Sequence, residues 1–252
     1  MQDFNNYRRR KLYDPRSKEV FTISRSKIDL FLECARCFYL DRRLGVSRPS
    51  MPSFPLNSAV DHLLKKEFDL LRKNKKAHEL MKKFNIDAIP FSHPKLSEWR
   101  DDMYRYVGAS VIYEKTNFKV TGIIDDIWQD KKGNLMIVDY KSTSTKKEIS
   151  LEDKWKQAYK KQVEVYQWIF RKMGFNVSDM GYFVFANAAK NREKFDGKLE
   201  FVLSIISYRG NDSWVEPALL GIKKCLDLDK IPTSGRDCEY CKFANELSKK
   251  TK

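Results

Sequence analysis

A mixed α/β fold, with helices before, within and after a mixed β-sheet, is what three features of the sequence predict. Segments of helical period fill most of the first hundred residues and return at 152–173 and after 211. The middle, from Val111 onward, is rich in β-branched and aromatic residues cut by turn formers. The chain has 252 residues, 42% of them hydrophobic, with no internal repeat and no long linker, so one domain with a full core is expected from about residue 24.

The elements follow in order. Residues 1–23 read as a basic, mobile arm broken at Asp14-Pro15. Ser26 can cap a helix that carries Ile28, Phe31, Leu32, Ala35, Phe38 and Tyr39 on one face and ends near Gly45. The prolines of 48–55 demand a loop. A second amphipathic helix presents Val60, Leu63, Leu64, Phe68 and Leu71. Residues 74–94 are lysine-rich and weakly patterned, and Leu96 to about Val107 reads as a third helix, which closes a helical part at 24–109. In the core, 110–208, the segments Val111–Glu114, Phe118–Trp128 and Leu135–Lys141 read as a three-stranded antiparallel meander. A long helix over about Glu152–Met173 ends at Gly174, and Met180–Ala186 and Leu199–Tyr208 read as two more strands. A helix capped around Asn211–Ser213 and a short cysteine-bearing tail fill 209–252.

Charge narrows the partners. Lysines and arginines number 49 against 34 acids, a formal net charge of +15. Such an excess suits a polyanion, although surplus surface lysine occurs without one. The cationic clusters are Tyr7–Lys11, Lys65–Lys83 and Lys141–Lys161, and no base-reading helix or zinc finger accompanies them. No apolar stretch approaches the length of a membrane span and no leader segment opens the chain, so a cytoplasmic protein without membrane contact is expected. Five cysteines in that setting point to metal ligation or free thiols before disulfides.

Two segments expected to be strands carry charge where strands should be apolar: Val120-Thr-Gly-Ile-Ile-Asp125-Asp126-Ile-Trp128 and Leu135-Met-Ile-Val-Asp139-Tyr-Lys141. Both are apolar on both faces, as in a sheet covered on each side. Asp139 and Lys141 stand two apart and share a face. A buried carboxylate there is costly unless a cation relieves it, and hard oxygen donors with open positions suit Mg²⁺ or Mn²⁺. A simple Asp139–Lys141 ion pair is the plainer alternative. Asp125 and Asp126 point to opposite faces; glycine spacing favours Asp125 for the metal and leaves Asp126 as a surface or supporting group.

This pattern resembles the PD-(D/E)xK nuclease superfamily, and within it the RecB-type branch with the AddB nuclease domain and the CRISPR-associated RecB-like exonucleases. The similarity covers most of the chain. Its carriers are Phe31-x-x-Cys34 in the opening helix, His62 in Ala59-Val-Asp-His62, Gly122-x-x-Asp125, Asp139-x-Lys141, Gln162-x-x-x-Tyr166, and the tail from Pro232 to Cys241. The resemblance implies a restriction-endonuclease-like core, Asp125 and Asp139 as metal carboxylates, His62 as a further ligand, Lys141 as the catalytic lysine, and Gln162 and Tyr166 beside it. The backbone carbonyl of Tyr140 is a candidate additional ligand. Without the family, His62 reads as a surface or packed residue, and Trp155, Tyr159 and Ile169 read as a core-facing stripe on the Gln162 helix. His78 and His93 receive no role.

Cys34-x-x-Cys37 and Cys238-x-x-Cys241 can together make a Cys₄ site that clips the tail onto the first helix. The resemblance favours a [4Fe–4S] cluster, although Cys37 then stands where the branch usually has a third late cysteine; Zn²⁺ and free thiols stay open. Cys225 reads as a small core residue. The expected activity is a metal-dependent deoxyribonuclease, an exonuclease on DNA ends or single strands without sequence preference, in repair or recombination, with a helicase or recombination partner conceivable. The competing readings are a non-catalytic nucleic-acid-binding subunit and an RNA-directed nuclease.

Overall fold

The computed structural model describes residues 11–50, 52, 54–101 and 108–251. Contacts divide the chain into two compact units. One gathers Met1–Met51, Ile112–Val120 and Glu216–Lys252; the other gathers Pro52–Val111 and Thr121–Val215.

The second unit is built on a five-stranded sheet of order β2-β5-β6-β7-β8, with β2 at Ala88–Pro90, β5 at Asp126–Asp130, β6 at Leu135–Thr143, β7 at Met180–Ala188 and β8 at Phe201–Arg209. β5 and β6 run antiparallel, with Asp126 opposite Val138. β6 and β7 run parallel, with Asp139 beside Phe183 and Lys141 beside Phe185. The connection between those two is α6, Gln157–Lys172, as a parallel crossover requires. One sheet face is covered from α3, Pro55–Lys73, and α4, Glu79–Lys83, through Leu64, Phe68, Leu80 and Met81, which pack with Trp128, Met136, Val138 and Tyr140. α6 brings Val163, Tyr166, Ile169 and Phe170 into the core at helical spacing. Both faces are therefore covered, as the apolar strands demanded.

The first unit contains β1, Phe21–Ser24, the consecutive helices α1, Arg25–Glu33, and α2, Ala35–Arg43, then α7, Val215–Leu226 (all but its first residue), and α8, Glu239–Lys250. β4, Phe118–Gly122, lies between β1 and β3, Ala109–Tyr113, in a three-stranded sheet. Cys225 is buried on α7, as expected of a small core residue, and burial pushes its thiol up to about 11.

Several expectations change. The expected meander splits, because its middle strand breaks at 123–125: β4 joins the three-stranded sheet and β5 the five-stranded one. The break frees the Asp125 side chain from the strand alternation. The opening helix is interrupted at Cys34, which is extended (φ −159°, ψ 103°), and Ser24 rather than Ser26 occupies the cap position. The expected arm packs from residue 11 on: Tyr13, Phe21 and Ile23 are buried, and Tyr13 donates to Asp227 at 2.7 Å. Its cationic run at 7–10 lies outside the described residues. The third helix is described over Leu96–Asp101 as α5, and its expected continuation also lies outside them. The weakly patterned stretch holds α4 and the edge strand β2, which three residues ending in proline could not announce. There His78 caps α4, accepting from the Leu80 amide at 2.8 Å, and stacks on Phe68. The long helix starts at Gln157, after a 3₁₀ turn at Lys154–Lys156, and the cysteine tail is largely helical. No described helix is long and apolar enough to cross a membrane.

Candidate functional site

Period-two alternation on β6 sends Tyr140 to the α3 face and Asp139 and Lys141 to the α6 face. Asp139 is completely buried. Its Oδ1 accepts from Gln162 Nε2 at 2.7 Å, and its other oxygen forms an ion pair with Lys141. Asp125, at the strand break, turns to the same place: its Oδ2 accepts from the Tyr140 amide at 2.9 Å. Tyr166 donates to the Ile123 carbonyl at 2.6 Å, one residue past the glycine that opens the break, and Gln162 Nε2 lies 3.5 Å from its hydroxyl. Asp125, Asp139, Lys141, Gln162 and Tyr166 thus lie together.

Electrostatics explains why this cluster suits a cation. Burial raises the Asp139 carboxyl; Lys141 opposes that, the Asp125 carboxylate adds to it, and the result is about 7. For Lys141, burial works against the charge, and the two carboxylates outweigh it and hold the ammonium above its usual range. Two carboxylates and one ammonium carry an excess negative charge in a place with little water. Asp139 Oδ2 is held by the Lys141 ammonium, and the Asp125 carboxylate still crowds the Asp139 carboxylate. Two carboxylates brought together beside a buried strand are what a Mg²⁺ or Mn²⁺ ion would relieve, so the residues present fit such an ion.

His62 is placed differently. It is exposed on α3, where it lines a cavity of about 300 Å³ with Lys65, Lys66, His93 and Arg100. Among the described residues, the four cysteines are the group whose ligand atoms, all within 4.8 Å of one another, could hold a metal ion, and His62 is not part of it. Lys65, one turn later, flanks Asp125 instead: its Nζ lies 3.7 Å from Asp125 Oδ1 and 2.9 Å from Asp61 Oδ2. Tyr140 enters the site through its amide, while its ring packs against Phe68 on the opposite face.

Asp126 is not a surface group. It is fully buried, accepts from the Tyr140 hydroxyl at 2.7 Å and pairs with Arg72, whose Nε also donates to the Phe91 carbonyl at 2.6 Å. Arg100 donates to the Asp125 carbonyl at 3.0 Å and to Asp69 at 2.6 Å. These bonds hold the backbone at the strand break and so aim Asp125. Charged residues at 61, 65, 69 and 72 recur at steps of three and four, a helical stripe that would have disclosed this network. Asp126→Asn is expected to cost about 1.5–3 kcal/mol, because Arg72 keeps Asp69 as a counter-charge but loses its charged hydrogen bond inside the core; chemical denaturation measures it. Gly122 is needed for a steric reason: a Cβ there would lie 2.4 Å from Tyr166 Cε1, and the ring is tethered by its hydroxyl. Gly122→Ala should cost about 1–3 kcal/mol on the same measurement.

Tyr159 was also missed as a site residue. Lys141 Nζ lies 4.7 Å from the centre of its ring.

The cysteines form a second cluster, in the first unit. Cys34, Cys37, Cys238 and Cys241 are all buried, with Sγ atoms 3.8 Å apart for Cys34–Cys241, 3.6 Å for Cys37–Cys238 and 3.5 Å for Cys37–Cys241. The extended backbone at Cys34 separates α1 from α2 and lets this sulfur accept from the amides of Gly235 at 3.2 Å and Cys37 at 3.4 Å. Burial alone would raise the Cys34 thiol; those amides prevail and bring it to about 6. Cys37 and Cys241 are raised, first by burial. Arg48 donates to Cys238 Sγ at 3.2 Å and to Glu33 at 2.7 Å, with its guanidinium 4.5 Å from the Tyr240 ring centre. A Cβ on Gly235 would meet the Glu33 carbonyl oxygen at 2.3 Å, so the loop can approach Cys34 only as glycine. Four buried sulfurs with N–H donors aimed at them fit a metal centre.

A model of the PD-(D/E)XK nuclease superfamily matches residues 22–245. No curated protein matches the chain. Among solved structures, one described as "Crystal structure of SSO0001" is similar to it at 16% identity, covering 91% of this chain and 86% of that chain with a TM-score of 0.42. The family match extends from the first strand into the last helix and takes in the Asp125–Asp139–Lys141 cluster, and on that match the chain belongs to the PD-(D/E)XK nuclease superfamily.

Proposed function

We propose that the protein is a metal-dependent deoxyribonuclease of RecB type, an exonuclease acting on DNA ends or single strands in repair or recombination. The observation that carries the reading is the meeting of Asp125, buried Asp139, Lys141 and Gln162 at one end of β6. Asp125 and Asp139 would hold Mg²⁺ or Mn²⁺, with the Tyr140 carbonyl and His62 as further ligands after local movement of α3. A bound ion supplies Lewis acidity toward the phosphate and a nucleophilic water. Lys141 is charged and sits at the carboxylates, where it orients that water and offsets charge developing on the phosphate. Gln162 fixes the Asp139 carboxylate by donating to Oδ1, and Tyr166 holds Gln162 and the Ile123 carbonyl in register. Partners beyond nucleic acid have no support in these residues.

For the cysteines we propose a structural metal centre. A tetrahedral ion with Zn–S bonds of about 2.3 Å places its sulfurs roughly 3.8 Å apart, close to the separations here. A [4Fe–4S] cluster, favoured by likeness to the RecB branch, binds each sulfur at a separate corner and requires the four to spread. Protein purified without oxygen should carry one centre per chain, read as iron and sulfide with a brown colour or as one zinc without colour; metal-free protein that remains folded overturns the centre.

End-labelled single-stranded DNA, duplex DNA and RNA, each incubated with Mg²⁺, Mn²⁺ or EDTA, test the nuclease reading. Divalent-dependent release of nucleotides from DNA ends is expected. Binding without cleavage under every condition would leave a nucleic-acid-binding subunit instead.

A further inference from the structure

The stripe of Trp155, Tyr159 and Ile169 was expected to face the core, and Ile169 does. Trp155 does not. It is 60% exposed, in the 3₁₀ turn that leads into α6. An indole left in water forfeits a large burial gain, so its position needs a reason. Its ring meets Tyr159 edge to face, 5.4 Å between centres. Tyr159 is half-buried and in turn lies against the Lys141 ammonium and, at 6.3 Å, Phe183. Two aromatic rings therefore lead from solvent to the lysine of the candidate active site. Cations flank this path. Lys156 Nζ stands 5.0 Å from the Trp155 ring centre, held by the Ser150 carbonyl at 2.7 Å and Asp153 at 2.8 Å. Lys160, one residue beyond Tyr159, pairs with Glu152 at 3.2 Å.

We propose that Trp155, backed by Tyr159, is a stacking platform for an unpaired base of single-stranded DNA. A duplex keeps its bases stacked on one another, whereas a single strand offers a free π-face to an exposed indole, and stacking of this kind tolerates any sequence. The polyanionic backbone matches the net charge of +15. A base held on Trp155 directs the strand past Tyr159 toward Lys141. That last step rests on the nuclease reading; the stacking itself does not.

Binding of a fluorescein-labelled oligodeoxythymidylate to the full chain, in Ca²⁺ to avoid cleavage, tests the platform. Trp155→Ala should weaken binding about 10-fold, and Trp155→Phe should keep most of the affinity. Unlabelled oligodeoxythymidylate should quench tryptophan emission in the native protein and much less in Trp155→Phe. Blunt duplex should bind all three proteins equally. Unchanged single-strand affinity in Trp155→Ala, or an equal loss on duplex, overturns the platform; Trp155-dependent binding of oligouridylate but not of oligodeoxythymidylate overturns its assignment to DNA. If the native protein cleaves nothing in Mg²⁺ or Mn²⁺ while the Trp155 dependence holds, the platform stands and the nuclease reading falls. Cleavage by the native protein with no Trp155 dependence reverses that outcome.

Discussion

Lys141→Ala is expected to lower Mg²⁺- or Mn²⁺-dependent cleavage of labelled DNA by about 10³-fold, with DNA affinity retained. The size follows from what the ammonium does. A positioned proton donor or acceptor contributes about 10²–10⁴ in rate, and a fixed cation beside a transferring phosphoryl group acts where water is scarce. Affinity should survive because exposed cations such as Lys66 and Lys73, which can contact phosphate, stay in place. Folding should survive as well. Removing one partner of a buried ion pair usually costs 3–5 kcal/mol because a charge is stranded. Here the remaining partner is Asp139, whose carboxyl burial already pushes up to about 7, so it can take a proton instead. Lys141→Arg separates charge from geometry: its fork is larger and misplaced against Tyr159 and Asp139, so it should fold and still cleave poorly. Circular dichroism and thermal melting report the fold, and single-turnover assays report the rate. Native-like cleavage by Lys141→Ala would remove this residue from the chemistry.

Much of that centre could be read from residue order. Asp139 and Lys141 lie two apart on a strand, Gln162 and Tyr166 four apart on a helix, and those local periods survive any tertiary arrangement. Glycine at 122 likewise signals close approach, which proves to be by the Tyr166 ring. What was illegible is what depends on breaks and long-range pairing. The run 118–128 looks like one strand, because β-branched residues continue through the break, and only the hydrogen bonds of Arg100 to the Asp125 carbonyl and Tyr166 to the Ile123 carbonyl show where it is interrupted. Cys34 sits within a helical stripe, and nothing local announces that its sulfur is drawn off to meet Gly235, 201 residues away. Trp155 fits the period of α6 but precedes its first turn, so the period assigned it to the wrong environment. Asp126 could be read only as a surface or a supporting acid, and what it supports was hidden because its two arginine neighbours lie far off in sequence.

The second large effect concerns the cysteines. Replacing one from each pair, Cys34→Ser with Cys238→Ser, should abolish metal retention and release α8. The reason is the composition of that helix's interface. Cys241 is its one buried residue and Cys238 is its buried N-cap, whereas Phe243 and Leu247 are 71% and 51% exposed. Without the sulfurs bound together, little apolar area holds the helix. A link between positions 34 and 241, separated by 207 residues, restricts the unfolded chain by up to about 5 kcal/mol on loop-closure reasoning, and that contribution disappears with the metal. The loss should be local at first. The core around Phe68, Trp128 and Tyr140 contains none of these cysteines, so its amides should keep their protection from hydrogen exchange. Amides of 239–250 should exchange at nearly unstructured rates, and metal content should drop from one centre per chain to none. Serine at both positions with α8 still protected would show that packing, not metal, holds the C-terminal helix.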